Sequence, residues 1–137
     1  MGIEGPFLAM MGLTFVVWAY LYVRRLAWMA AVGRAPQTYA LGVPTDAPAA
    51  VLLPPRNFAN LAELPILFYG LCLYAMLHAE YGAVDVWLAW GFVGFRALHS
   101  LVHCTVNIVL VRFGLYVLSA VCLWAMLTRA VFALAAA

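Results

Sequence analysis

Four long apolar segments, separated by clusters of proline, glycine and polar residues, dominate the pattern of the chain. A helix needs about 20 mostly apolar residues to cross a bilayer. The pattern therefore predicts four membrane-spanning helices, at about 6–32, 57–78, 83–105 and 109–134. Residues 33–55 hold repeated prolines and glycines, which interrupt helices, so we expect one long loop there.

The composition agrees with this pattern. Hydrophobic residues make up 69% of the chain and charged residues 9%, whereas soluble domains carry about 25% charged residues. Four crossings nearly exhaust 137 residues, so residues 1–137 are predicted to form a single transmembrane domain. We expect an all-α fold, a four-helix up-down bundle in membrane lipid. Side chains of its helices and short connections must then do any chemistry.

The arginines predict an orientation. All basic residues are arginine, and the net charge of +2 is too small to indicate nucleic-acid binding. The arginines near the first loop and the third connection are Arg24, Arg25, Arg34, Arg56 and Arg112. Only Arg129 lies near the opposite helix ends, so the positive-inside rule places both connections in the cytoplasm. Both termini are then non-cytoplasmic. Because the sequence shows no organelle signal, we expect a multi-pass protein of a bacterial inner membrane.

Polar residues recur with helical spacing inside three of the apolar segments. The rows are Arg56, Asn60 and Glu63; Arg96, His99, His103 and Asn107; and Arg112, Tyr116 and Ser119. Each spacing puts its residues on one helix face, and the predicted topology puts all three rows in the same half of the bilayer. Ionisable groups at that depth are costly against lipid. The rows therefore predict a polar pocket open to the cytoplasm.

The charges of the rows leave three interpretations open. Basic groups outnumber the single internal acid, Glu63, so an anionic ligand would balance the excess. Alternatively, Glu63 and Arg96 neutralise each other, and the histidines and Asn107 join helices through hydrogen bonds. A metal or haem at His99 and His103, with Glu63 as a third metal ligand, is the last possibility, although nearby arginines would repel a cation. The three cysteines lack zinc-site spacing, which favours apolar packing.

The rows resemble the motifs of the MAPEG family, the membrane-associated proteins of eicosanoid and glutathione metabolism. The family pattern Arg-x-x-x-Asn-x-x-Glu, followed closely by proline, appears as Arg56, Asn60, Glu63 and Pro65. The pattern of the prostaglandin synthase branch in the third and fourth helices appears as Arg96, His99, His103, Arg112 and Tyr116. His103 stands where that branch has tyrosine. The resemblance covers most of the chain.

The resemblance implies a homotrimer with glutathione sites between adjacent subunits, near the cytoplasmic face. By carry-over, the residues that bind glutathione are Arg56, Asn60, Glu63, Arg96, His99 and His103. Arg112 would lie beside the glutathione sulfur, where a guanidinium favours the thiolate. Tyr116 would donate a hydrogen bond to that thiolate or pack against substrate. The implied function is a glutathione-dependent transferase or peroxidase that acts on lipophilic electrophiles or hydroperoxides.

A non-enzymatic role is the alternative. The same fold would then be a structural or accessory subunit of a membrane complex, and its polar rows would hold helices together. The sequence does not specify a lipophilic substrate, because lipid-facing apolar residues carry little information about shape. Binding of glutathione distinguishes the two functions.

Overall fold

The computed structural model describes residues 2–78 and 81–136 of the chain. Their regular structure is helical, with α1 Glu4–Val32, a short 3₁₀ helix Pro36–Tyr39, α2 Ala49–Leu61, α3 Leu64–His78, α4 Ala83–Cys104 and α5 Val109–Ala136. Because α2 and α3 follow each other as two halves of one 30-residue segment, the helices make four spans. The predicted all-α fold with four helical segments is confirmed.

Contacts at the two ends of the bundle show that successive spans run in opposite directions. At one end, Asn57 near the start of the second span contacts Cys104 at the end of α4. At the other end, Asp85 in the first turn of α4 pairs with Arg129 near the end of α5. We call the first the loop end, because residues 33–48 and 105–108 connect helices there, and the second the pair end.

The surface of the bundle suits a bilayer. Three segments are long and apolar enough to cross one: Glu4–Val32, Ala49–His78 and Val109–Ala136. Large apolar side chains point outward along them, among them Phe15 and Phe132, and such continuous apolar surface is stable against lipid rather than water. The 22 residues of α4 extend about 33 Å, which also matches a hydrocarbon core. The protein is an integral membrane protein.

Apolar side chains of all four spans form the core. Phe68 of α3 and Phe92 of α4 are fully buried and stack with ring centroids 4.5 Å apart. Met10 of α1 and Cys72 of α3 are also fully buried in this core. Packing of this kind lets α4 keep its polar residues inside the bundle.

The second span begins earlier than predicted. Residues 49–55 belong to α2 rather than to the loop, and Pro54 and Pro55 lie within that helix. Each proline removes one backbone N–H donor. Val51, Leu53 and Pro54 are buried, and α2 packs against α1, so their burial offsets the missing hydrogen bonds. The prediction from proline content was wrong for this segment because it ignored packing.

The second span is also broken, whereas the sequence predicted one helix over 57–78. Helix α2 ends at Leu61 and α3 begins at Leu64. Pro65 therefore lies in the first turn of α3, where its missing N–H is tolerated best. Glu63 lies in the break and is exposed at the side of the bundle.

The connection between α4 and α5, residues 105–108, is longer than the predicted row implied, because that row continued α4 to Asn107. Helix α4 ends at Cys104, and Asn107 has a left-handed backbone with φ 49°. Asparagine adopts this conformation more readily than most residues, and the backbone N–H of Asn107 donates to the carbonyl oxygen of Val102. Asn107 therefore belongs to the turn, and not to the row on α4.

The first loop is held by an exposed ion pair and a buried aromatic ring. Arg34 Nη2 lies 2.6 Å from Asp46 Oδ2, and the hydrogen bond from this guanidinium holds the pKa of Asp46 below its usual range. Tyr39 is buried and packs edge-on against Trp28. These contacts order the loop between α1 and α2.

Candidate functional site

A cavity of about 340 Å³ lies near the loop end, between the break in the second span and the facing sides of α4 and α5. It is lined by Asn60, Glu63, His99, Val109, Arg112, Phe113 and Tyr116. Five of these are residues that the sequence predicted for the site. The structure thus brings together members of all three polar rows.

Arg112 lies in the first turn of α5 and lines this cavity. Its Nη1 donates to Oδ1 of Asn107 at 2.7 Å, so the turn that precedes α5 orients the guanidinium. A guanidinium carries five N–H donors and a full positive charge. One bond to a neutral amide leaves that charge uncompensated and further donors available.

His99 lines the cavity, whereas His103 is buried beside it and is not among the lining residues. His99 Nδ1 lies 2.9 Å from the carbonyl oxygen of Arg112, so in the neutral ring Nδ1 donates and Nε2 is a free acceptor. His103 Nδ1 lies 3.4 Å from Asn60 Nδ2, so in the neutral ring Nδ1 accepts and Nε2 carries the proton. Both Nε2 atoms are buried without a partner in the described chain. In the neutral rings, His99 Nε2 is therefore an acceptor without a donor, and His103 Nε2 is a donor without an acceptor.

Arg96 is close to the cavity but does not line it. Its side chain is fully buried, and none of its guanidinium nitrogens has a hydrogen-bond partner among the described residues. The guanidinium carbon lies 4.8 Å from the ring centroid of Tyr116 and 5.6 Å from that of Phe92. Tyr116 therefore borders both Arg96 and the cavity.

No acid of the described residues forms an ion pair with Arg96 or Arg112. Two ion pairs occur within residues 2–78 and 81–136, Arg34–Asp46 and Arg129–Asp85. Neither involves Glu63, so the interpretation in which Glu63 and Arg96 form an ion pair within one chain is not realised. Arg112 and Glu63 both line the cavity, so basic groups outnumber the acid at this site only when the buried Arg96 is counted with them.

Arg56, like Arg96 and His103, is not among the residues that line the cavity. It lies one turn before Asn60 on α2, but it is exposed and does not line the cavity of its own chain. The proposed role of Arg56 therefore requires a ligand that reaches the outer surface of α2.

A buried polar cluster beside the site was missed by the sequence analysis. Asn57 is fully buried, its Oδ1 accepts from Ser100 Oγ at 3.3 Å, and its Nδ2 donates to Cys104 Sγ at 3.6 Å. It joins α2 to α4 next to the contact between Asn60 and His103. An asparagine in an apolar span needs internal partners, and that cost was the available signal.

The described residues contain no group of three or more His, Cys, Asp and Glu side chains that could hold a metal ion. Glu63 does not complete a three-ligand set with His99 and His103. The polar contacts of the two histidines are instead with Arg112 and Asn60.

These features define the class of protein first: an integral membrane four-helix bundle with a small polar cavity at one end, lined by Arg112 and Glu63, and a buried arginine, Arg96, beside it. The model of the MAPEG family matches residues 4–132, nearly the whole chain. The chain belongs to the MAPEG family, as its motifs predicted. No curated protein and no solved structure matches it. Membership supports, at a coarse level, a glutathione-related membrane transferase or peroxidase, in a family whose members are generally trimers.

Proposed function

We propose that the protein is a membrane glutathione-dependent transferase or peroxidase that acts on lipophilic electrophiles or hydroperoxides. The observation that carries the proposal is the cavity at the loop end, where Arg112, Asn60, Glu63 and His99 meet, and where Arg112 forms no ion pair within the described residues. Glutathione is an anion with two carboxylates, one ammonium group and one thiol. Its groups complement the donors and acceptors that this cavity supplies.

The binding roles follow from the chemistry of each side chain. Asn60, His99 and His103 supply hydrogen bonds to the peptide and carboxylate groups of glutathione, and Glu63 accepts from its ammonium group. In the homotrimer that family membership favours, glutathione lies between adjacent subunits. Arg56, which is exposed on its own chain, then reaches the glutathione of a neighbouring cavity.

The catalytic role falls to Arg112. A free thiol has a pKa near 8.5 and is mostly protonated at neutral pH, and a nearby guanidinium favours the reactive thiolate. The thiolate sulfur attacks an electrophilic carbon, a C–S bond forms, and the leaving group departs with its electron pair. With a hydroperoxide the sulfur attacks the outer oxygen, the O–O bond breaks, and the alkoxide takes a proton. Tyr116 donates a hydrogen bond to the thiolate.

The orientation of the site belongs to the same proposal. The loop end, with its arginines, faces the cytoplasm of a bacterium, so glutathione enters from water while the lipophilic substrate arrives through the bilayer. Both termini then lie on the opposite side of the inner membrane. Reporter domains fused to the C-terminus test this orientation, and a cytoplasmic signal contradicts it.

Substitution of Arg112 by alanine tests the mechanism. We expect turnover of a hydroperoxide or a dinitrophenyl halide to fall by on the order of 100-fold, while calorimetry shows glutathione binding retained. The ultraviolet absorbance of bound thiolate should fall with turnover. Arg129→Ala is the matched control, because Arg129 lies on the same helix at the pair end.

Two outcomes contradict the proposal at different points. Normal turnover in Arg112→Ala removes the role of the guanidinium but leaves glutathione chemistry intact. Wild-type protein that neither binds glutathione nor gains thermal stability from it removes the enzyme altogether. That second result favours the non-enzymatic accessory subunit.

A further inference from the structure

Arg96 is the basic residue of the bundle whose environment the proposed function does not explain. It is fully buried within a membrane span, and its guanidinium nitrogens lack partners among the described residues. A buried charge without a partner is strongly unfavourable. Its neighbours on two sides are aromatic rings, Phe92 and Tyr116, so cation–π contacts supply part of its electrostatic compensation.

The two rings differ in what they touch. Phe92 belongs to the core, where it stacks on Phe68. Tyr116 lines the cavity and lies one turn after Arg112 on α5. The ring of Tyr116, with Arg96 4.8 Å from its centroid, therefore links the buried charge to the space where the thiolate is proposed to lie.

A cation against the ring of a phenol changes its hydroxyl. Its positive charge polarises the ring and the O–H bond, which makes the O–H a stronger hydrogen-bond donor. The planar guanidinium also fixes the position of the ring by stacking. Both effects act on Tyr116 without contact between Arg96 and the ligand.

We propose that Arg96 is a positioning residue that acts on the glutathione thiolate through Tyr116, and that it is not a ligand of glutathione. This inference rests on the proposed function and revises the role that the family motif implied for Arg96. It assigns the buried charge to catalysis rather than to binding.

A double-mutant cycle tests the inference. Arg96→Met removes the charge and keeps a long apolar side chain, so we expect kcat to fall on the order of tenfold, the scale of a desolvated cation–π contact. Glutathione Kd by calorimetry should stay unchanged. Tyr116→Phe keeps the ring and removes the hydroxyl, so Arg96→Met should add little loss in that background. Arg129→Met is the matched control.

Arg96→Lys provides a second variant, because it retains the charge in case the methionine variant does not fold. It should keep part of the activity in the wild-type background and make no difference in the Tyr116→Phe background. A weaker glutathione affinity in either Arg96 variant overturns the inference. The inference is also overturned if Arg96→Met lowers kcat as much in the Tyr116→Phe background as in the wild type. Coupling to Glu63→Gln instead of Tyr116→Phe also overturns it. If the wild type shows no turnover, the proposed function falls first and the inference falls with it.

Discussion

The two arginines of α5, Arg112 and Arg129, lie at opposite ends of the bundle and differ in their hydrogen-bond partners. At the pair end, Arg129 of α5 forms two hydrogen bonds with Asp85 of α4, from Nε at 2.6 Å and from Nη2 at 3.2 Å. At the loop end, Arg112 of the same helix donates to the neutral amide of Asn107. The first guanidinium is neutralised inside the chain, whereas the second keeps its charge.

The difference extends to the neighbours of each arginine. At the pair end, Asp85 also accepts from the backbone N–H of Gly82, and Tyr81 donates to Glu4. At the loop end, the guanidinium nitrogens of Arg96 and the Nε2 atoms of His99 and His103 lack partners in the described chain. Because an unpartnered buried polar group is costly, its retention indicates a ligand or a partner subunit. The contrast separates polar groups that join helices from polar groups that are available to a ligand.

Giving Arg112 an acidic partner, as Arg129 has in Asp85, should cause a large loss of turnover. Asn107→Asp places a carboxylate 2.7 Å from the Arg112 guanidinium, and aspartate also tolerates the left-handed backbone of this position. The new ion pair neutralises Arg112, so glutathione turnover should fall at least tenfold, on the scale of one lost charge-assisted contact. Steady-state kinetics and calorimetry measure the loss.

The reciprocal change, Asp85→Asn, is the control for that experiment. It removes the ion pair at the pair end, where both partners are partly exposed, so stability should fall by no more than about 1 kcal/mol. Turnover should stay at the wild-type level. If Asp85→Asn reduced turnover as much as Asn107→Asp, the two ends would not be functionally distinct.

The sequence predicted which side chains gather at the loop end better than it predicted how deeply each of them is buried. Helical spacing placed Asn60, Glu63, His99, Arg112 and Tyr116 on inward faces, and all five line the cavity. A periodic row defines a direction on one helix, but it does not say how deep a side chain lies between helices. Arg96 therefore looked equivalent to His99, although it lies behind Tyr116.

The second span shows a different reason for error. Pro54 and Pro55 predicted a loop, yet they lie in α2 because residues around them are buried against the bundle. Local propensity is weak evidence when tertiary packing opposes it. The break at Ala62 and Glu63, in contrast, agrees with the presence of Pro65 in the next turn.

Removal of Asn57 should reduce stability and leave the chemistry of the site in place. Its amide partners Ser100 and Cys104 inside the bundle, so Asn57→Ala leaves buried polar groups without partners and should cost about 1–3 kcal/mol. Thermal unfolding in detergent measures the loss. Gln37→Ala, on the exposed surface of the first loop, is the control. A stable Asn57→Ala protein with lost glutathione binding would move Asn57 from the structural contacts to the site.

The ion pair of the first loop should have the smallest effect, because both of its partners are exposed. Arg34 holds the pKa of Asp46 below its usual range, so the folded state favours the ionised carboxylate. The stability difference between wild type and Asp46→Asn should therefore be complete above the ordinary aspartate pKa, about 3.9. This stability difference should disappear as the pH falls through the lower pKa that Asp46 has in the folded protein.

Thermal unfolding of both proteins from neutral pH downward measures this difference, and Asp85→Asn provides the comparison with the pair end. The acids of the two pairs differ in exposure: the Asp85 side chain is 15% exposed, whereas that of Asp46 is 56% exposed. Solvent weakens an exposed pair more, so the loss for Asp46→Asn should be the smaller of the two. An equal or larger loss would show that the first loop is part of the folded core, and the ion pairs could no longer be ranked by burial.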